Sequence, residues 1–198
     1  MVKGSVEMRV IAGKFHGRNL KSPPSLRVRP TSDRLRETLF NVVAPRIEGA
    51  RFLDLCAGSG AVGIEAISRG ATHATFVDQS RRMCALIASN IGLCRIAAEE
   101  SSVVHDEASA FVRSAAKCGS ESWDIVFYDP PYADDYLDVL NLFAPGTGSL
   151  LARAGLLVVE HHHKKSLPDE LGNIQRQRIL KQGDSALSFY EWIESSGH

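Results

Sequence analysis

The run Phe52-Leu53-Asp54-Leu55-Cys56-Ala57-Gly58-Ser59-Gly60-Ala61-Val62-Gly63 constrains the fold more than any other part of the chain. An apolar strand leads directly into a literal GxGxxG, a pattern that fits the tight strand-to-helix turn opening a βαβ unit. From there on, apolar strands alternate with helical patterns. Strands fit 51–56, 73–78, 102–105, 123–129 and 155–160, and helices fit 61–69, 81–90, 108–116 and 135–143. This alternation predicts an α/β fold, a mostly parallel sheet with helices on both faces. The end of the chain departs from it. Segments 174–181 and 186–194 are joined by Gln182-Gly183-Asp184, the signature of an antiparallel hairpin.

Upstream of the glycine turn, residues 8–22 read as two short strands around His16-Gly17, and Pro23, Pro24 and Pro30 stiffen the loop that follows. A helix starts at Thr31 or Ser32, either of which can cap it, and Leu35, Leu39, Val42 and Val43 keep helical spacing up to Pro45. The expected organisation is a small N-terminal β-hairpin extension with its loop over 1–30, and a Rossmann-like domain over 31–198.

With 198 residues, 44% of them hydrophobic, the chain can bury a full core and is too apolar for a disordered one. The zero net charge hides an asymmetry. Residues 1–46 carry ten Lys and Arg against Glu7, Asp33 and Glu37, and the remainder is acidic by the same margin. A basic face for an anionic partner follows. Lys14, Arg18, Lys21, Arg27 and Arg29 are the expected contacts to that partner, set outside the βαβ core so that little folding energy depends on them. No run approaches the ~18 apolar residues of a membrane span, and no charged-then-apolar signal segment opens the chain. Cys56, Cys84, Cys94 and Cys118 form no CxxC pair, which predicts free thiols and a cytoplasmic protein.

The glycine turn alone fits several cofactors. Asp78 ends the next strand twenty residues after Gly58, where an acid can hold ribose hydroxyls. Asp54 separates the candidates. A carboxylate just before the turn repels a dinucleotide pyrophosphate, whereas S-adenosylmethionine carries an ammonium and a sulfonium and no phosphate. A third acid, Asp106, follows the third strand and is placed to accept the adenine amino group, although acids there also cap helices. Ala57, Gly58, Gly60, Gln79 and Glu107 are assigned to the same cofactor site, as are Thr31 and Arg36. Arg34 and Arg36 split their directions on the first helix, so that one faces the cofactor carboxylate and the other RNA, or both are surface residues.

The buried strand ending at Tyr128 runs into Asp129-Pro130-Pro131-Tyr132. Two prolines cannot continue a ladder or a helix, so a rigid loop leaves the strand at the ligand edge. That loop suits methylation of an exocyclic base amine, whose lone pair is delocalised into the ring. Hydrogen bonds to the Asp129 carboxylate and the Pro130 carbonyl favour a pyramidal, nucleophilic nitrogen and strengthen as positive charge develops. Tyr132 offers a ring for stacking on a base turned out of its helix or loop.

Asp129-Pro130-Pro131-Tyr132 resembles the signature of amino-group nucleic-acid methyltransferases. Together with Arg9-Val10-Ile11-Ala12-Gly13, Arg29-Pro30-Thr31-Ser32-Asp33-Arg34-Leu35-Arg36-Glu37 and Asp54-Leu55-Cys56-Ala57-Gly58-Ser59-Gly60, it makes residues 8–194 similar to the bacterial RsmD methyltransferases of 16S rRNA. The resemblance implies a seven-stranded class I S-adenosylmethionine-dependent methyltransferase fold. It also implies N2 methylation of the small-subunit rRNA guanine usually called position 966, in assembled or nearly assembled 30S particles. The tetrapeptide itself does not separate guanine N2 from adenine N6 or cytosine N4.

Three rival functions share parts of this pattern. A DNA adenine-N6 or cytosine-N4 methyltransferase uses the same apparatus but needs a target-recognition domain for which the chain has no room. A non-catalytic RNA-binding assembly factor would not require the proline loop. An NAD-dependent oxidoreductase is opposed by Asp54. His161-His162-His163 invites a metal reading, but strand residues alternate faces, so no metal is expected there. A monomer is expected.

Overall fold

The computed structural model describes residues 8–23, 33–119, 122–131, 135–143 and 150–193. In chain order these form β1 (Met8–Arg9), β2 (Asn19–Leu20), α1 (Asp33–Ile47), β3 (Arg51–Leu55), α2 (Ala61–Ser68), β4 (His73–Asp78), α3 (Arg81–Cys94), β5 (Ser101–His105), α4 (Ala108–Cys118), β6 (Trp123–Tyr128), α5 (Leu137–Leu140), β7 (Leu151–His162), β8 (Glu170–Leu171), β9 (Ile174–Gln182) and β10 (Ser185–Trp192).

The main sheet runs β5-β4-β3-β6-β7-β10-β9-β8. The first five strands are parallel, and β10 pairs antiparallel with both β7 and β9. This is the mostly parallel Rossmann-like sheet with an antiparallel C-terminal hairpin that the sequence predicts. It has eight strands among the described residues instead of seven. The extra one is the two-residue edge strand β8, too short to leave a period-2 signal. Strand order reverses between β3 and β6, and Leu55 lies level with both Val77 and Tyr128. The carboxyl ends of β3, β4 and β6 therefore open side by side at the switch point, where ligands bind in sheets of this kind.

Both faces of the sheet are covered, which explains why β3, β4 and β6 read as unbroken apolar runs. One core holds Phe40, Phe52, Phe76 and Ile87 beneath α1, α2 and α3. The other holds Val112, Trp123, Tyr128 and Val139 beneath α4 and α5. Among the described residues no helix is long and apolar enough to cross a membrane.

Two helix expectations change. Helix α1 continues through Pro45 to Ile47. A proline there removes the one helix bond its own N–H would have made, and its fixed φ is compatible with the helix. Burial of Ile47 and the Arg46–Glu191 ion pair at 3.1 Å hold the segment beyond it. The helix expected over 135–143 shrinks to Leu137–Leu140, because Leu142 and Phe143 donate to carbonyls three residues back in a tightened end.

The N-terminal hairpin is not a separate unit. Met8, Val10 and Leu20 are buried in the same core as α1 and α2. The Ile11 and Ala12 amides donate to the Glu65 carboxylate at 2.7 and 2.9 Å, and the Lys14 amide donates to the Ser68 carbonyl. Gly13 adopts φ +82, and a Cβ on it would stand 1.8 Å from the Ser68 carbonyl oxygen. Only glycine allows that approach.

Candidate active site

The glycine turn is fixed by two acids that act on different sides. Asp78, at the end of β4, accepts the Gly58 amide at 2.9 Å through one oxygen and the Ser80 amide at 2.8 Å through the other. Asp54, on β3, accepts the Gly63 amide at 2.9 Å. The third glycine serves packing, since a Cβ on Gly63 would lie 2.3 Å from the Phe76 ring. Asp54 is fully buried under the turn, and desolvation, with a smaller push from Asp78 and against the Gly63 bond, raises its pKa to about 8.

Above the turn lies a cavity of about 780 Å³. Cys56, Ala57, Gly58, Ser59, Asp78, Gln79, Asp106 and Glu107 line one part of it, and Asp129, Pro130, Pro131, Glu160, Gln182 and Ser185 line another. The structure thus brings together most of the expected cofactor residues with the first three residues of the proline loop. Gly60 shapes the turn without lining the cavity, as N-cap of α2 with φ +76. Asp54 does not line it either, so the argument that placed a carboxylate against the ligand at that position is corrected. The lining itself supplies what Asp54 was expected to supply. Seven carboxylic acids, Asp78, Asp106, Glu107, Asp129, Asp135, Asp138 and Glu160, border the cavity, and no Lys or Arg does among the described residues. A pyrophosphate finds no counter-charge there, while a ligand with hydroxyls and positive centres does.

Asp106 has two uses. Its carboxylate accepts the Glu107 amide at 2.8 Å at the start of α4 and also borders the cavity. At the catalytic loop the Asp129 amide donates to the Leu55 carbonyl at 3.3 Å, which extends the β3–β6 ladder by one bond. The Pro130 carbonyl accepts from the buried Tyr136 hydroxyl at 3.4 Å. Tyr132 lies outside the described residues, as do Thr31, Arg27 and Arg29.

Arg36 is placed elsewhere than expected. It is fully buried away from the cavity, where its guanidinium donates to the Arg9 carbonyl at 2.6 Å and to Asp33 at 3.0 Å, with Glu65 at 3.9 Å. Desolvation lowers its pKa. It ties the hairpin to α1 and α2 from inside. The three described hairpin cations are also engaged with the body. Lys14 pairs with Glu100, Arg18 donates to the Leu93 carbonyl at 2.6 Å, and Lys21 donates to the Ser89 hydroxyl at 2.8 Å. These are single contacts of exposed side chains, so they fasten the hairpin to the body at small cost in folding energy if lost.

The histidine run is also arranged differently. Strand β7 ends at His162, so strict alternation no longer governs His163, and the two rings stack with centroids 4.6 Å apart. His162, His163 and Asp184 bring possible ligand atoms within 4.8 Å of one another. His161 points away into the core, where it meets the Ser188 hydroxyl at 2.9 Å.

The family model described as Conserved hypothetical protein 95, the RsmD family, matches residues 8–191. The chain belongs to this family. It is 38% identical to Ribosomal RNA small subunit methyltransferase D of Escherichia coli (strain K12) over 95% of this chain and 91% of that protein. It is 34% identical to YlbH of Bacillus subtilis (strain 168) over 93% and 98%. Among solved structures, yhhF from Escherichia coli superposes with a TM-score of 0.79 at 33% identity, covering 96% of this chain and 99% of that one. The family match spans the hairpin, the glycine turn and the proline loop together, in keeping with their shared core and cavity.

Sequence reasoning missed Glu160, Ser185 and Gln182, which reach the cavity from β7 and from the C-terminal hairpin. The signal for Glu160 was present. It is an acid closing the apolar run Leu156-Leu157-Val158-Val159, just as Asp78 closes β4.

Proposed function

We propose that the protein transfers a methyl group from S-adenosylmethionine to the exocyclic N2 amine of a guanine in 16S rRNA of the small ribosomal subunit. The observation that carries this reading is the placement of Asp129 and Pro130 on the same acid-lined cavity as the glycine turn, Asp78 and Asp106. The cofactor residues fit the group. Asp78 faces ribose hydroxyls, Asp106 the adenine amine, and the turn backbone around Ala57 and Gly58 the chain between them. When bound, the sulfonium supplies an electrophilic methyl group.

This chain's own residues prepare the amine. The Asp129 carboxylate and the Pro130 carbonyl accept its two hydrogens, which disfavours conjugation of the nitrogen with the ring and orients its lone pair. Because methylation would make the nitrogen cationic, the Asp129 carboxylate would bind it more strongly at that point and is placed to accept the proton the amine must then lose. The preference for rRNA rests on the relatives' names and on the basic hairpin, and an acid-lined cavity admits a turned-out base while repelling phosphates. Monomeric action inside the cytoplasm completes the reading.

The test is incubation with methyl-labelled S-adenosylmethionine and 30S particles, free rRNA or DNA, followed by nucleoside mapping. Label on N2-methylguanosine from particles is expected. Label on DNA or on adenine N6 overturns the assignment.

A further inference from the structure

Three adjacent strands of the sheet deliver side chains to one place. Tyr128 of β6 stands beside Val159 of β7, so the next residues, Asp129 just past β6 and Glu160 still within β7, are neighbours on adjacent strands. Leu187 of β10 stands beside Glu160, and Ser185 lies two residues from it on the same face. The Ser185 hydroxyl donates to Glu160 Oε1 at 3.1 Å. Glu160 is 5% exposed and Ser185 6%, and both border the cavity with Asp129 and Pro130. Gln182, across the hairpin turn, borders it too, and its side-chain amide lies 3.3 Å from the Thr38 hydroxyl.

We propose that Glu160 is the residue that selects guanine, by accepting the base's N1–H while Asp129 and Pro130 take the N2 hydrogens. This rests on the reading of the cavity as a guanine-N2 methylation site and adds how that base is told from others. The chemistry is in the edge of the ring. Beside its amine, guanine presents N1–H, a donor. Adenine beside N6 and cytosine beside N4 present a ring nitrogen lone pair. A carboxylate held one strand from Asp129 satisfies the first and repels the other two. Burial makes the choice sharp, because a wrong base leaves the carboxylate facing a lone pair in a site with little water. Ser185 is a positioning residue that holds the carboxylate.

The experiment uses 30S particles reconstituted with 16S rRNA ligated to carry guanine or 2-aminopurine at the methylated position. The analogue keeps the N2 amine but has a lone pair at N1 and no O6. Single-turnover methylation is measured for wild type, Glu160→Gln and Ser185→Ala, with S-adenosylhomocysteine affinity and melting temperature alongside. Wild type should favour guanine by about 10²-fold or more. Glu160→Gln, whose amide can donate to N1 of the analogue, should lose about 10²-fold on guanine and bring the two rates near parity, with cofactor affinity unchanged. Ser185→Ala should lose about 3- to 10-fold on guanine. If Glu160→Gln keeps the wild-type ratio, or loses cofactor affinity in step with rate, the inference is overturned while the function stands. Should that variant not fold, equal wild-type rates on the two bases overturn the inference and a 10²-fold preference supports it. Label from wild type on a base other than guanine overturns the function itself and this inference with it.

Discussion

The side chain of Asn90 brackets the backbone of Lys21, accepting its N–H at 2.8 Å and donating to its carbonyl at 3.1 Å. The same amide nitrogen donates to the Ser59 carbonyl at 2.9 Å. One fully buried residue on α3 thus joins the basic hairpin to the middle of the glycine turn. Asn90→Ala leaves three backbone groups without this partner; the Ser59 bond is the buried one, at about 1–3 kcal/mol if its carbonyl finds no new partner, and the two Lys21 groups lie nearer water and cost less. We expect a loss of about 2–4 kcal/mol in urea unfolding, with weaker S-adenosylhomocysteine binding because Ser59 lines the cavity. An unchanged midpoint would show that the hairpin is held by its apolar contacts alone.

Asp54 gives the fold a pH dependence of definite sign. Its folded pKa of about 8 lies above its ordinary value of 3.8, so folding takes up a proton between those limits. The stability this contributes is complete below the unfolded pKa and is lost as pH rises through the folded one. Asp54→Asn keeps an oxygen for the Gly63 amide and cannot ionise. Its melting temperature should therefore rise relative to wild type as pH goes from about 5 to 8. Parallel melting curves for the two proteins across that range would mean that the buried carboxyl is already ionised.

Asp78 combines two roles. A ribose held by charge-assisted bonds of ~1.5–3 kcal/mol makes Asp78→Ala weaken S-adenosylhomocysteine roughly 10- to 150-fold. The bonds to Gly58 and Ser80 add a loss of turn geometry. Asp78→Asn retains one acceptor for those amides and should fall between wild type and Asp78→Ala in calorimetric titration. If the two variants bind equally, only the charge matters and the turn holds itself.

Asp129 is expected to act on the methyl-transfer step and not on cofactor affinity. Asp129→Ala should cost about 10²–10³ in single-turnover rate at saturating cofactor, as loss of one transition-state partner does. Asp129→Asn should also be slow, since an amide accepts more weakly and carries no charge. A normal rate with weakened cofactor binding would move Asp129 into the cofactor site.

The parallel sheet, its hairpin and the two ends of the cavity were legible because they rest on local signals: apolar runs, a glycine turn, prolines after a strand and acids at strand ends. What was not legible depends on which distant segments meet. Arg36 reads as a surface or ligand-facing cation on a helix, and only the approach of Arg9 and Glu65 turns it inward. Asp54 reads as a ligand acid because it adjoins the turn, yet β3 directs its side chain beneath α2. Glu160 carries the same local signal as Asp78, but its value depends on β7 lying next to β6 with Ser185 behind it, a matter of strand order.

The basic hairpin separates RNA docking from mere solubility, and its contacts refine the test. Lys14, Arg18 and Lys21 each donate to the body through one bond, and the Lys14–Glu100 pair is partly exposed on both sides, 46% and 28%. Such bonds are worth at most ~1 kcal/mol each. Replacing all three by Ala should therefore lower stability by about 1–2 kcal/mol and leave the protein folded. Each cation has further N–H groups to offer a phosphate. If about four hairpin charges neutralise phosphates of a mostly single-stranded target, log affinity for 30S particles falls with log salt at a slope of about −3. The triple variant should bind more weakly with a slope near about −1. Cofactor affinity should be intact, since none of the three lines the cavity. The methylated nucleotide should stay the same, because phosphate contacts position and do not specify. Equal particle binding at every salt concentration would leave these cations as fasteners of the hairpin and nothing more.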